Sequence, residues 1–317
     1  MAHLLLITIL RTRCKAACHW LILIACLLDW FPAAARELRL EHASRYVISA
    51  TINDQPVRLR IDPGAPGYIV LNPDAARMIG LKGSLISSSV SIGPTKLEGE
   101  TNQVFLVVDE MRSKARVVWV ERNITDIADG IISPEVLPYE RVTLQFSSVD
   151  LSHRRYALPM RYDASRGLHY AQAIGDENLF VRFSVEQPTS LATASAGALI
   201  AAAYRGQWAG AAVSEPVRFG ITRPVRPMRL GQALLLQGFP VTLFGVRTSD
   251  NRGKLALPDD PNADLDEIVV TGQAKSKQPR LLLLTLGRDR LGGCSSITYS
   301  KPERTLSLQC AAAPLLS

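Results

Sequence analysis

Short runs of alternating apolar and polar residues, each stopped by a turn residue, limit the fold of this chain more than any other feature. "RYVISATIN" (45–53) and "QPVRLRID" (55–62) alternate on either side of Asn53-Asp54. A side chain points to the opposite face at each step along a strand, so such runs predict two half-buried strands joined as a hairpin. Similar runs follow in "SSSVSIGPTKLEGETNQVFLVVDE" (87–110) and "RVVWVE" (116–121), split by a Gly-Pro turn. After an apolar step, "ADGIISPEVLP" (128–138), comes "RVTLQFS" (141–147). Only "NPDAARMIGL" (72–81) reads as a short helix here, with Asn72 as its cap and Pro73 at the first helical position. The expectation is an all-β protein with few short helices.

The chain has 317 residues, 47% apolar and 21% charged, enough for one large or two medium packed domains and unlike a disordered chain. From Leu179 the pattern begins again. "YVISATINDQPVRLRIDPGAPGYIVLNPDAARMIG" aligns loosely with "LFVRFSVEQPTSLATASAGALIAAAYRG": strands, a small-residue loop, an apolar step and a helical stretch. "ADGIIS" in the first half has its counterpart in "LLLLTLGRDRL" (281–291). A duplication on this scale predicts two similar β lobes.

One stretch asks for a chemical reason. "RIDPGAPGYIV" (60–70) drives a strand into Asp62 and breaks it at once with a Pro and two Gly residues, Pro63, Gly64 and Gly67, in a loop that opens Pro63-Gly64-Ala65. An apolar strand, an Asp-x-Gly turn and a later apolar pair resemble the aspartic peptidase family, in its retropepsin- and pepsin-like branch. The resemblance spans most of residues 44–310. It implies a bilobal, barrel-rich aspartic-protease-like fold, with the carboxylate of Asp62 turned inward to a cleft that takes a polypeptide. Gly64 would allow close backbone approach there, and apolar surroundings would raise the pKa of Asp62.

The family works with two facing carboxylates, one a base and one an acid. On the alignment above, the second position is Ala192, in a degenerate loop Ala192-Thr193-Ala194-Ser195. Pro63 stands in place of a hydroxyl residue, and Ser133 where a Gly would follow the first apolar pair. Three readings follow. An active aspartyl endopeptidase would need Asp62 to meet a second Asp62 across a homodimer. A pseudo-peptidase would bind an extended peptide without cutting it. In the third reading Asp62 is simply a turn carboxylate held by local N–H groups.

The expected organisation is a signal peptide over 1–35, a first lobe over 36–150, a linker over 151–178, and a second lobe over 179–317. Arg11, Arg13 and Lys15, an apolar run to Leu28 and "AAA" at 33–35 form the signal. Cleavage after Ala35 removes three cations and one anion, lowering the net charge from +7 to +5 and leaving no transmembrane domain in the mature chain. "LIAC" (23–26) offers Cys26 as a lipidation site, the rival reading. The mature chain keeps Cys294 and Cys310, at the open end of a hairpin built from "SSITYSKPERTLSLQ", and a disulfide is expected in an oxidising, periplasmic or extracellular compartment.

Other chemistry finds no support. Five scattered His residues give no metal-ligand spacing, no glycine loop cradles phosphate, and neither cofactor nor nucleic acid is expected. Ser195 lacks a nucleophile elbow. Arg218, Arg223, Arg226 and Arg229 read as solvated positions on edge strands, with an acidic partner as the functional alternative. "DEIVVTGQ" (266–273) reads as a strand beside a surface insertion.

Overall fold

A computed structural model describes residues 36–84, 88–92, 95–148, 150, 152–250, 257–258 and 281–311. The expected signal, Cys26 and the 266–273 stretch lie outside these residues. The described residues from Glu37 onward form one compact unit.

After β1 (Glu37–Glu41) the chain runs through β2 (Val47–Ile52), β3 (Gln55–Ile61), β4 (Ile69–Leu71) and α1 (Pro73–Met78). It continues through β5 (Ser88–Ile92), β6 (Thr95–Val108), β7 (Met111–Val120) and β8 (Gly130–Ile132). The strands pair in the order β2-β3-β8-β4-β7-β6, and β6 returns to β2 through Thr51–Val107 and Ile52–Leu106. Six strands thus close into a barrel, which removes most of the open edges, and β5 extends it along β6. The β2–β3 and β6–β7 turns place Asn53-Asp54 and Asp109-Glu110 at positive φ, the geometry a two-residue hairpin needs and Asn or Asp tolerates.

β9 (Arg141–Gln145) and β10 (Arg154–Pro159) follow, then β11 (Arg161–Asp163), β12 (Gly167–Ile174), β13 (Glu177–Phe183) and β14 (Leu191–Ala192). Next come α2 (Ala194–Tyr204), β15 (Gly206–Trp208), β16 (Val213–Arg218), β17 (Ile221–Leu236), β18 (Phe239–Arg247) and β19 (Leu283–Leu286). A second sheet has the order β11-β12-β13-β19-β14-β18-β17-β15, with β16 also on β17. α3 (Arg288–Leu291) leads to the terminal hairpin, β20 (Cys294–Ser300) and β21 (Thr305–Cys310). That hairpin completes a five-stranded sheet, β1-β9-β20-β21-β10, which draws strands from both halves of the chain. Cys294 and Cys310 face each other across it and are bonded.

Two boundaries differ from the sequence reading. The stretch taken as a linker, 151–178, carries β10, β11 and β12. Its Arg and Tyr residues disguise strands whose buried positions, such as Tyr156, Leu158, Leu168 and Tyr170, alternate with polar ones. The terminal hairpin pairs with β9 and β10 and not with the second sheet, because buried Ile297, Tyr299, Leu306 and Leu308 complete the shared five-stranded layer.

Candidate functional site at Asp62

β3 delivers Asp62 to its position. Leu59 and Ile61 are buried without exposure in the barrel core, and β3 runs parallel to β8 through Leu59–Gly130 and Ile61–Ile132. The Asp62 N–H extends this ladder by one bond, donating to the Ile132 carbonyl at 3.0 Å. Ala65 N–H then donates to the Asp62 carbonyl at 2.9 Å, closing a tight turn through Pro63 and Gly64.

The second sheet builds the same crossing. β13 runs parallel to β19 through Phe183–Leu286, and Ser184 N–H donates to the Leu286 carbonyl at 2.9 Å. β4 lies antiparallel to β8, as β14 does to β19. Beyond each short strand, Asn72 N–H reaches the Asp129 carbonyl and Thr193 N–H the Leu283 carbonyl. Matching these bonds pairs Asp62 with Ser184, Arg60 with Arg182, and Asn72 with Thr193.

The residue opposite Asp62 is therefore Ser184, where the sequence alignment had pointed to Ala192. Ser184 Oγ donates to Asp62 Oδ2 at 2.9 Å, and the Val185 N–H donates to Oδ1 at 2.8 Å. Gly64 N–H is a third donor to the same carboxylate. Ala192 instead lies in β14, hydrogen-bonded between β18 and β19 and fully buried. Thr193 caps α2, its side chain accepting from Ala196 N–H, and Ala194 and Ser195 are buried in the first turn. These residues begin a helix, and a helix is what their small apolar pattern encodes.

The two loops touch closely. A Cβ on Gly64 would stand 2.8 Å from Ser184 Cβ and 3.0 Å from the Phe183 carbonyl oxygen, so only glycine fits this approach. Arg60, two residues before Asp62, fastens the opposite loop: it donates to the Val185 carbonyl at 3.2 Å and forms an ion pair with Glu186. Ser184 Oγ also accepts from Gln187 N–H at 3.0 Å, which fixes its hydroxyl.

Asp62 is 3% exposed. Burial raises its pKa above the ordinary carboxylate value, against the opposing pull of the Val185, Ser184 and Gly64 donors and of Arg60. Glu186 is raised as well, first by its own burial, with Arg60 pulling it down. Chemically, Asp62 is the one group of this pair that can take up and release a proton. Ser184 cannot supply the matching acid, because an alcohol does not release its proton in the range where carboxyl groups do. Ser133, fully buried, accepts from Glu135 N–H and follows Ile132, whose carbonyl takes the Asp62 N–H.

Two hairpins meet beside the loops. Phe219, at the tip of β16–β17, has φ 53, rare for an aromatic residue, and its ring is buried with Ala65, Val70, Ile92 and Val120. Arg223 donates to the Ile92 carbonyl at 2.7 Å and to Thr95 Oγ1, tying β17 to the β5–β6 hairpin. Arg226 lies over the Trp208 ring at 4.9 Å. Of the four arginines read as solvated, only Arg229 is exposed. β17 lies inside the sheet, flanked by β18 and by β15 and β16, so its charges cannot all face water.

Sequence reasoning missed Ser184, Val185, Glu186 and Arg182. A signal was present: "LRID" (59–62) and "VRFS" (181–184) share their arginine and close on the two paired positions. Reading "LFVRF" as the counterpart of β2 instead of β3 displaced the match by one strand.

These features define an all-β protein with a closed six-stranded barrel and a buried carboxylate where two equivalent strand-ending loops meet. No protein-family model and no curated protein matches the chain. Among solved structures, part of the chain is similar to the EIAV protease complexed with the inhibitor HBY-793. The identity is 21%, over 29% of this chain and 85% of that one, with a TM-score of 0.23. So slight a likeness assigns no function. Among the described residues, no helix is long and apolar enough to cross a membrane.

Proposed function

We propose that this chain is an aspartic-peptidase-family protein of two lobes that holds an extended polypeptide without cleaving it. The observation that carries this is the identity of the group facing Asp62: a serine hydroxyl bonded to its Oδ2 at 2.9 Å. Peptide hydrolysis by paired carboxylates needs one group to take a proton from water and another to give one to the leaving nitrogen. Here the second role has no group to fill it. The polar strand ends and the two hairpins beside Asp62 suit main-chain pairing with an extended segment. The Cys294–Cys310 bond supports an exported, periplasmic setting.

The test pairs two assays on the same preparation: cleavage of an unfolded protein at acid pH, and saturable binding of a fluorescent extended peptide. Binding without cleavage is expected. Cleavage that is blocked by a statine-type transition-state analogue and lost in Asp62→Asn would refute the proposal, as would absence of any peptide binding.

A further inference from the structure

Charge is distributed unevenly around Asp62. Arg60 has its own acid, Glu186, and Arg247 has Asp250 at 2.6 Å. Arg223 is engaged by the Ile92 carbonyl. Arg182 and Arg218 are different. Neither has a carboxylate within ion-pair distance among the described residues, although both side chains are half-buried. Arg182 makes one long bond to Thr285 Oγ1, at 3.4 Å, and its Nε, like those of Arg60, Arg223 and Arg247, is buried without a partner among the described residues. Arg218 only lies along the Phe219 ring, 5.1 Å from its centroid.

Strand register gathers these cations. Arg182 pairs with Thr285, Thr285 with Leu191, and Leu191 with Gly245, so all four positions share a face. Two residues beyond Gly245, on the same face, stands Arg247, opposite Val225; Arg223 lies two residues before Val225. The β16–β17 hairpin brings Arg218 to this face, held by Gln187 Nε2 donating to the Pro216 carbonyl at 3.0 Å. The same Gln187 bonds through its N–H to Ser184. Burial, and then the like charge of Arg218, lowers Arg182 to about 9, while Asp62 opposes that shift. Arg218 is lowered by burial, with Tyr68 and Asp62 opposing. A guanidinium keeps its charge in proteins, and the one acid they share, Asp62, is already held by three donors from main chain and serine.

Buried cations are ordinarily paired. Two that repel each other beside a proposed peptide-binding site leave a place for an anion. We infer that Arg182 and Arg218 form a carboxylate-binding subsite, so that the polypeptide held at Asp62 is acidic at the residue lying on the second sheet. Guanidinium geometry suits a carboxylate bound through two parallel N–H donors. The carboxylate comes either from a Glu or Asp side chain or from a free C-terminus. This inference rests on the peptide-binding reading above.

Binding of matched peptides separates the outcomes. The three probes have an internal Glu with an amidated end, the same peptide with Gln, and the Gln peptide with a free terminal carboxylate. One of the two carboxylate peptides is expected to bind about tenfold or more tightly than the neutral one, the worth of a charge-assisted bond to a partly buried cation. The winning probe identifies the source. The advantage should shrink with added salt. It should vanish in Arg182→Gln and in Arg218→Gln, so that the three peptides bind each variant alike; Arg218, on a hairpin, guards against misfolding of the Arg182 variant. Equal affinity for all three peptides overturns this inference and leaves peptide binding standing. No binding by any peptide overturns both. Arg182-dependent binding of inorganic phosphate without a carboxylate preference among peptides assigns the pair to small anions and overturns it too.

Discussion

Ser184→Ala removes the hydroxyl that joins the two loops. Two bonds are lost, the donation to Asp62 Oδ2 at 2.9 Å and the acceptance from Gln187 N–H at 3.0 Å. A hydrogen bond to a charged group contributes about 1.5–3 kcal/mol, and the half-buried Gln187 amide adds about 1 kcal/mol. The small cavity left by an oxygen adds little, so the variant should lose about 2.5–4 kcal/mol. For a chain of this size that lowers the thermal midpoint by about 4–7 °C. The loss has a pH signature. The carboxylate of Asp62 accepts from both Ser184 Oγ and the Val185 N–H, an arrangement suited to the ionised form. The cost of Ser184→Ala should therefore be greatest where Asp62 is ionised and diminish as pH falls through the raised Asp62 pKa. Thermal denaturation followed by circular dichroism across a pH series measures both. A variant as stable as the parent at every pH, or one whose deficit grows as pH falls, would refute the reasoning.

Gly64→Ala places a methyl group 2.8 Å from Ser184 Cβ and should cost about 1–3 kcal/mol by overpacking, measured by urea denaturation. Asp62 has a pKa raised in the folded state, so the fold binds its proton more tightly than the unfolded chain does. Stability from this group is present at acid pH and lost as pH rises through the raised value. Asp62→Asn should flatten that slope in a stability–pH profile. Replacing both Cys294 and Cys310 by Ser opens a loop with a sequence separation of 16. About 3 kcal/mol should be lost, seen as an equal shift when the parent is reduced.

The alternation in 45–62 and 141–147 made β2, β3 and β9 legible, and the Asn72-Pro73 signal placed the start of α1. Asp62 stood out because a charge ending an apolar strand needs a reason. Its partner did not, because Ser184 is an ordinary residue whose role depends on register: only the pairing of β13 with β19 and β3 with β8 makes the two positions equivalent. Small-residue composition drew attention to 192–195, where it serves a buried helix. Strands β10 to β12 were hidden for a related reason, since exposed Arg154, Arg155, Arg161 and Tyr162 mimic a polar linker. The Arg218–Arg229 stretch misled in the opposite sense. Charge suggests water, yet Arg223 spends its donors on the β5–β6 hairpin, and such long-range bonds leave no trace in local composition.

The carboxyl carbon of Asp62, followed by NMR across a pH titration in the parent and in Ser184→Ala, tests the pairing of these two residues most directly. The account predicts a midpoint above the ordinary carboxylate range, moving higher still when the Ser184 donor is removed. A midpoint at or below that range, or one indifferent to Ser184, would contradict it.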